Sequence, residues 1–307
     1  MQKTEQKNVN NITFSIDFIK DFRNLLKDFY NYGEYMDFLI IPSLVSGKKT
    51  LRYLSLLSYT DRDINNIEDL KELSKDTDFQ IRVLDFNSNE LQDGDTVTMR
   101  LDIKDKSSEQ ILSDMKSKYR KIIKNSIRKN NFIFKYGRDK NMIEDFYKIF
   151  SYVMKKHGTP ALDKKLFFLF TEKLQERVIF YNCYDEEKII SAYCVFLDEK
   201  IAYGSWGGAL DSYRDKLLGH FSYWSIIKHL CSYKNIEIFD FGRSPYNSGG
   251  YIFKHRFGAY PIKIETISSE QKDIYSKYSF ASNIWKKLPK NITDFIGPKL
   301  CKYLVDL

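Results

Sequence analysis

The sequence predicts an α+β protein with a mixed α/β sheet, laid out as two units and a helical tail. Three observations lead there. The chain has 307 residues, about two domains on the usual size range. Short apolar runs alternate with stretches whose apolar residues recur at three and four, so strands and helices interleave. From residue 271 onward the pattern is helical and broken only by prolines. The expected boundaries are 1–104, 105–270 and 271–307.

The elements follow in order. Residues 14–31 carry the helical period. MDFLIIPSL and LRYLSLLSY read as strands joined by SGKK, with Gly47 marking the turn. DFQIRVLDF and TVTMRLDI are two more strands. SSEQ opens a long helix with Ser107 or Ser108 as N-cap, and the helical stretch continues through ILSDMKSKYRKIIKNSIRKNN. Its second half is basic, which predicts a solvated face or one or two cations that bind phosphate. FIFKYG is a strand, NMIEDFYKIFSYVMKKHG a helix ended by Gly158, and KKLFFLFTEKLQ a second helix. RVIFYNCY, KIISAYCVFLD and KIAYGSWGGAL are three strands with short polar turns. LLGHFSYWSIIKHLCSY is a helix, IEIFDFG a strand, GGYIFKHRFG a short helix or turn, and PIKIETI a last strand. In the tail, Pro289 and Pro298 are expected to divide an amphipathic, Lys-rich segment that either lies on an anionic bilayer or packs back on the first unit.

Composition limits the function classes. Aromatic residues make up 16% of the chain, enough to line clefts as well as a core, because buried tyrosines need hydroxyl partners. The net charge of +8 suits an anionic partner, or a lysine-rich surface with no such role. Cys183, Cys194, Cys231 and Cys301 lack metal or C-x-x-C spacing, so no metal site is expected and a reduced cytoplasmic setting fits. The polar start MQKTEQKNVNN has no apolar signal core, and no apolar run reaches membrane-span length.

The stretch FDFGRSPYNSGGYIFKHRFGAY concentrates chemistry between two strands. Lys254 sits among Tyr251, Phe253 and Phe257, where its charge is poorly screened. Lys254, Asp240 and Tyr251 are the catalytic candidates. Asp240, at a strand end, can accept or orient a proton, or can pair with Arg243 and shape the turn. Arg243 can grip phosphate or carboxylate in two-pronged fashion. Trp206 in GSWGG and Tyr223 can wall an acyl or sugar pocket, or belong to the core. His157 can act as a switchable base or interact with its helix dipole.

Four strings occur in order: KYRKIIKNSIRKNNF, MKKHGTPALDKKLF, AYGSWGGAL and IFDFGRSPYNSGGYIFKHRFGA. With the element order β-α-α-β-β-β-α-β-α-β, they resemble the FemAB-like branch of the GNAT acyltransferase superfamily. That branch includes peptidoglycan-bridge aminoacyltransferases and proteins of exopolysaccharide gene clusters. The resemblance is best over 98–268. It implies two GNAT-like units, the first degenerate, and transfer of an acyl group to an amine of a cell-envelope precursor. It implies that Phe253 and Lys254 contact the acyl donor, and that Arg120, with Lys121 and Lys124, contacts substrate diphosphate or carboxylate.

No permanently bound cofactor is expected; the donor is aminoacyl-tRNA or acyl-CoA. CoA-dependent relatives use a Q/R-x-x-G-x-G/A loop, for which the counterpart here runs from Lys216 through Gly219 to Phe221. Bulky Phe221 at the last position favours charged tRNA. The acceptor is then a nucleotide-linked or lipid-linked sugar or peptide, with peripheral contact at the inner membrane face. The rival readings are an acyl-CoA-dependent N-acyltransferase with a modified phosphate loop and a non-catalytic polysaccharide- or RNA-binding protein.

Overall fold

The computed structural model describes residues 12–35, 38–42, 49–52, 78–88, 90–268 and 274–303. Helix α1 (Ile16–Tyr30) opens at Ser15, whose side chain accepts from Phe18 N–H and caps the first turn. Strands β1 (Gly33–Tyr35), β2 (Phe38–Pro42), β3 (Lys49–Arg52), β4 (Asp78–Asp85) and β5 (Thr96–Asp102) follow. The short β1 was not foreseen in the sequence. The turn predicted at Gly47 and the strand run beyond Arg52 lie outside the described residues, as does the polar start.

The helix expected to run unbroken from Ser107 is two helices, α2 (Ser108–Asp114) and α3 (Ser117–Arg128). Ser107 and Gln110 form a reciprocal capping box at the start of α2. The break comes at Met115, which is extended (φ −68°, ψ 146°) and buries its side chain in the core. Arg120 donates to the Ser113 carbonyl at 2.9 Å, meeting one of the carbonyls that the broken helix leaves open.

Strand β6 (Ile133–Gly137), helices α4 (Lys140–His157) and α5 (Lys164–Leu174), and strands β7 (Val178–Asp185), β8 (Lys188–Asp198) and β9 (Ile201–Ala209) come next. Helix α6 (Leu218–Leu230), strand β10 (Ile238–Pro245), helix α7 (Gly249–His255) and strand β11 (Tyr260–Ser268) complete the sheet. Gly158 ends α4 in the left-handed conformation (φ 78°). Helices α8 (Ile274–Lys287) and α9 (Lys290–Cys301) form the tail. Pro298 does not break α9 as expected; it sits inside it. The last turn is pinned instead by Cys301, whose thiol donates to the carbonyls of Pro160 and Ala161.

All eleven described strands join one mixed sheet in the order β1-β2-β3-β4-β11-β5-β10-β9-β8-β7-β6. Both faces of its centre are covered. On β7, Val178 and Phe180 enter one cluster while Ile179 and Tyr181 enter the other. That alternation follows from the two-residue period of a strand. It is also why RVIFYNCY reads as a continuous apolar run. One cluster holds α1, α4 and α5 through Phe18, Phe22, Phe146, Phe167 and Phe170. The other holds α2, α3 and α6 through Ile111, Ile123, Trp224 and Ile227.

Candidate active site

Strands β9 and β10 are joined through α6, and such a crossover makes them parallel. They pair only from Ile201–Tyr203 against Ile238–Asp240, and then part. Beyond that point β10 stays with β5 on its other side, Arg243 opposite Thr98. Two residues of β10, Phe241 and Gly242, there oppose Met99 alone on β5, so the strand carries a bulge at Phe241–Gly242. Gly242 takes φ 75°, and a Cβ on it would stand 2.9 Å from the Gly204 carbonyl. Only glycine fits this point without strain.

Asp240 locks the bulge. Its carboxylate is fully buried and accepts from Thr98 Oγ1 at 2.5 Å, Arg100 Nε at 3.0 Å and Gly242 N–H at 2.8 Å. Arg100, equally buried, also donates to the Ile12 carbonyl at 2.7 Å. A buried carboxylate and guanidinium must be paired and hydrogen-bonded, since either alone costs several kcal/mol. The structure therefore places Asp240 against Arg100 and the bulge, beneath the cleft floor and outside its lining.

The bulge aims two carbonyls at one side chain. Lys254 Nζ donates to Gly242 O at 3.0 Å and to Arg243 O at 2.8 Å. Burial pushes its pKa down to about 8, Asp240 partly offsets this, and Arg243 adds to the fall. An ammonium has three donors. With two held by the bulge, the third is available to the cleft that Lys254 lines.

That cleft, about 630 Å³, opens where β9 and β10 part. Trp206, Tyr193, Tyr223, Phe239 and Phe241 supply its aromatic wall, and Arg243 and His157 its charged or titratable edge. Trp206 is shared between the core and the cleft. Its ring packs on Phe167 and Phe170 in the core, and it also lines the cleft. Tyr223 stacks on Phe241, and burial raises its hydroxyl to about 12. His157 is exposed at the end of α4, with its pKa lowered by partial burial, then Lys156 and Lys286.

The remaining candidates stand elsewhere. Tyr251 packs on Tyr246 and His255 and is not in the lining. Phe253 meets Tyr223, Phe257 and His220 edge to face and so backs the cleft wall. Lys121 and Lys124 are exposed on α3, and Arg120 is engaged at Ser113. Lys216 faces Asp185 at 3.6 Å and lines a separate polar groove of about 410 Å³ with Lys129 and Asp215. Gly219 lies against Phe253, and Phe221 turns its ring to Phe132. Sequence reasoning missed Thr98 and Arg100 altogether. A charged residue inside the strand pattern TVTMRLDI was the one available signal.

Residues 114–255 match the sequence profile of the acetyltransferase (GNAT) domain. Over that span the chain is similar to GNAT acetyltransferases. The matched span includes the parting of β9 and β10, the bulge and Lys254; Thr98 and Arg100 lie just outside it. The structure of FemX superposes with a TM-score of 0.55 at 11% identity, over 80% of this chain and 86% of that one. The C-terminal domain of an Agrobacterium fabrum protein described as a lysylphosphatidylglycerol synthetase gives 0.52 at 12%, over 89% and 92%. A conserved protein of unknown function from Bacteroides thetaiotaomicron gives 0.50 at 10%, over 83% and 91%. At such identities the likeness concerns the fold, and it is the fold that the FemAB-like resemblance implied. None of the curated proteins matches the sequence.

Proposed function

We propose that this protein is an acyltransferase that forms an amide on an amine of a cell-envelope or surface-polysaccharide precursor, with aminoacyl-tRNA as donor. The observation that carries the reading is the buried lysine held by a strand bulge at the floor of an aromatic cleft. In this reading the amine attacks the ester carbonyl, and a C–N bond forms as the C–O bond to the tRNA breaks. The free donor of Lys254 meets the oxyanion, a contribution of roughly 10²–10³ in turnover. His157, whose pKa is lowered by partial burial, receives the amine proton and passes it to the departing tRNA oxygen. Arg243 meets the anionic part of donor or acceptor.

A CoA thioester is the second reading. The groove at the start of α6, with Lys129 and Lys216, favours it. The test supplies purified protein with labelled aminoacyl-tRNA or labelled acetyl-CoA and an extract of amine-bearing envelope precursors. Transfer from charged tRNA, lost in Lys254→Met, is the expected result. Transfer from acetyl-CoA alone moves the donor to the second reading. Saturable binding of polysaccharide or RNA with transfer from neither donor overturns both.

A further inference from the structure

Helix α9 keeps two distinct faces. Thr293, Gly297 and Cys301, four residues apart, are buried. A Cβ on Gly297 would stand 3.2 Å from Ala161 N, and Cys301 Sγ reaches the Ala161 carbonyl at 3.0 Å. This side of the helix is therefore fixed to the segment before α5. The opposite side carries Ile292, Phe295, Ile296 and Lys299, at the i, i+3, i+4, i+7 spacing of one helical stripe. Phe295 is 68% exposed, Ile292 38% and Ile296 36%. A contiguous exposed apolar stripe on a protein surface is a mark of an interaction site.

Charge selects the partner. Over 274–303 the sequence holds Lys277, Lys286, Lys287, Lys290, Lys299 and Lys302 against one acid, Asp294. Asp294 is itself taken up by Lys290. Lys299 Nζ lies 4.0 Å over the Phe295 ring, so a cation flanks the most exposed apolar group. An apolar stripe edged by lysines fits an interface that is hydrocarbon in its depth and anionic at its surface. A protein groove would supply the first without requiring the second.

We propose that the outer face of α9 docks this protein on an anionic bilayer surface, lying in the interface and not spanning it. No helix among the described residues is long and apolar enough to cross a membrane. The preceding helix α8 touches the cleft rim: Ser282 donates to the carbonyl of His157, and Lys155 donates to the carbonyl of Lys286. The docking does not depend on the acyl-transfer reading, and its test needs neither donor nor acceptor.

The full chain is floated with vesicles of phosphatidylcholine alone and with vesicles containing about one-third phosphatidylglycerol. Wild type floats with the anionic vesicles only, and binding weakens as salt rises. Phe295→Asp lowers the vesicle affinity by about tenfold or more, and Lys299→Glu lowers it on anionic vesicles. Both positions are exposed, so thermal melts of the variants match wild type. Failure to float, or flotation untouched by Phe295→Asp, overturns the proposal. So does a wild-type dimer that Phe295→Asp dissolves, because a second copy then occupies the face.

Discussion

Replacing Lys254 by Met keeps the length of the side chain and removes its charge. The buried ammonium titrates near 8 in the folded protein, against an ordinary 10.5. Below pH 8 it is charged in both folded and unfolded chains, and the folded state bears the whole cost of desolvating it. Between the two values the unfolded chain still holds the proton that the folded chain has released. Stability therefore rises with pH across that window. At 1.36 kcal/mol per pH unit the full difference is ~3 kcal/mol, of which ~2 kcal/mol falls between about pH 7.5 and about pH 9.5. Urea unfolding of wild type and Lys254→Met at those two pH values measures it, because the titration of groups not coupled to Lys254 cancels in the comparison. Wild type gains ~2 kcal/mol relative to the variant as pH rises. A constant difference between the two proteins would refute the burial of a charged lysine at the bulge. The same titration bears on catalysis. If the ammonium meets the oxyanion, turnover declines above about pH 8.

Asp240→Asn leaves Arg100 buried without its counter-ion and is expected to destabilise the fold by ~3–5 kcal/mol in urea melts. Pairing it with Arg100→Met removes both charges and recovers most of that loss. In this double variant the turnover decline moves below pH 8, because Asp240 holds the Lys254 pKa up; an unmoved profile would show the two groups uncoupled. Gly242→Ala sets a methyl against the Gly204 carbonyl at positive φ, and a loss of roughly 1–3 kcal/mol is expected, read as a drop in melting temperature. Trp206→Ala empties the junction of core and cleft. It should cost ~3–5 kcal/mol by urea unfolding.

The local signals in the sequence were legible where one turn of chain decides the outcome. Ser107 caps a helix, Gly158 ends one, and the alternating or continuous apolar runs from Val178 to Ala209 are strands. Legibility failed where distant residues decide. The helical period runs through Met115 without interruption, yet burial of that side chain in the core holds the backbone extended and divides the helix. Pro298 looks like a stop, but contacts of Gly297 and Cys301 with Ala161 hold the helix around it. The site shows the same division. Lys254, Trp206, Tyr223 and Arg243 come together in one cleft, all drawn from aromatic or glycine-rich strings that stand out in the sequence. Asp240 stood out equally, and its partner could not be read. Arg100 lies 140 residues away, and the pairing exists only because β10 is hydrogen-bonded to β5 in one register.

That register explains why an ion pair, which an apolar pair could replace at little cost in stability, belongs beneath this site. An apolar side chain at Asp240 could fill the same space, but it could not accept from Gly242 N–H. The bulge needs that acceptor. Gly242 N–H points back to Asp240 while Gly242 O points to Lys254, so one peptide neighbourhood carries the buried carboxylate on one side and the ammonium on the other. Once a carboxylate is chosen to orient the bulge, the fold must neutralise it, and Arg100 does so from the adjacent strand. Arg100 in turn leaves Lys254 uncommitted to any side-chain carboxylate, since its two described partners are carbonyls. A lysine tied to a carboxylate would have its charge satisfied already. One held by neutral carbonyls keeps its field directed at whatever anion forms in the cleft. In the proposed reading Asp240 and Arg100 would thus act on the chemistry by position, from outside the residues that line the cleft.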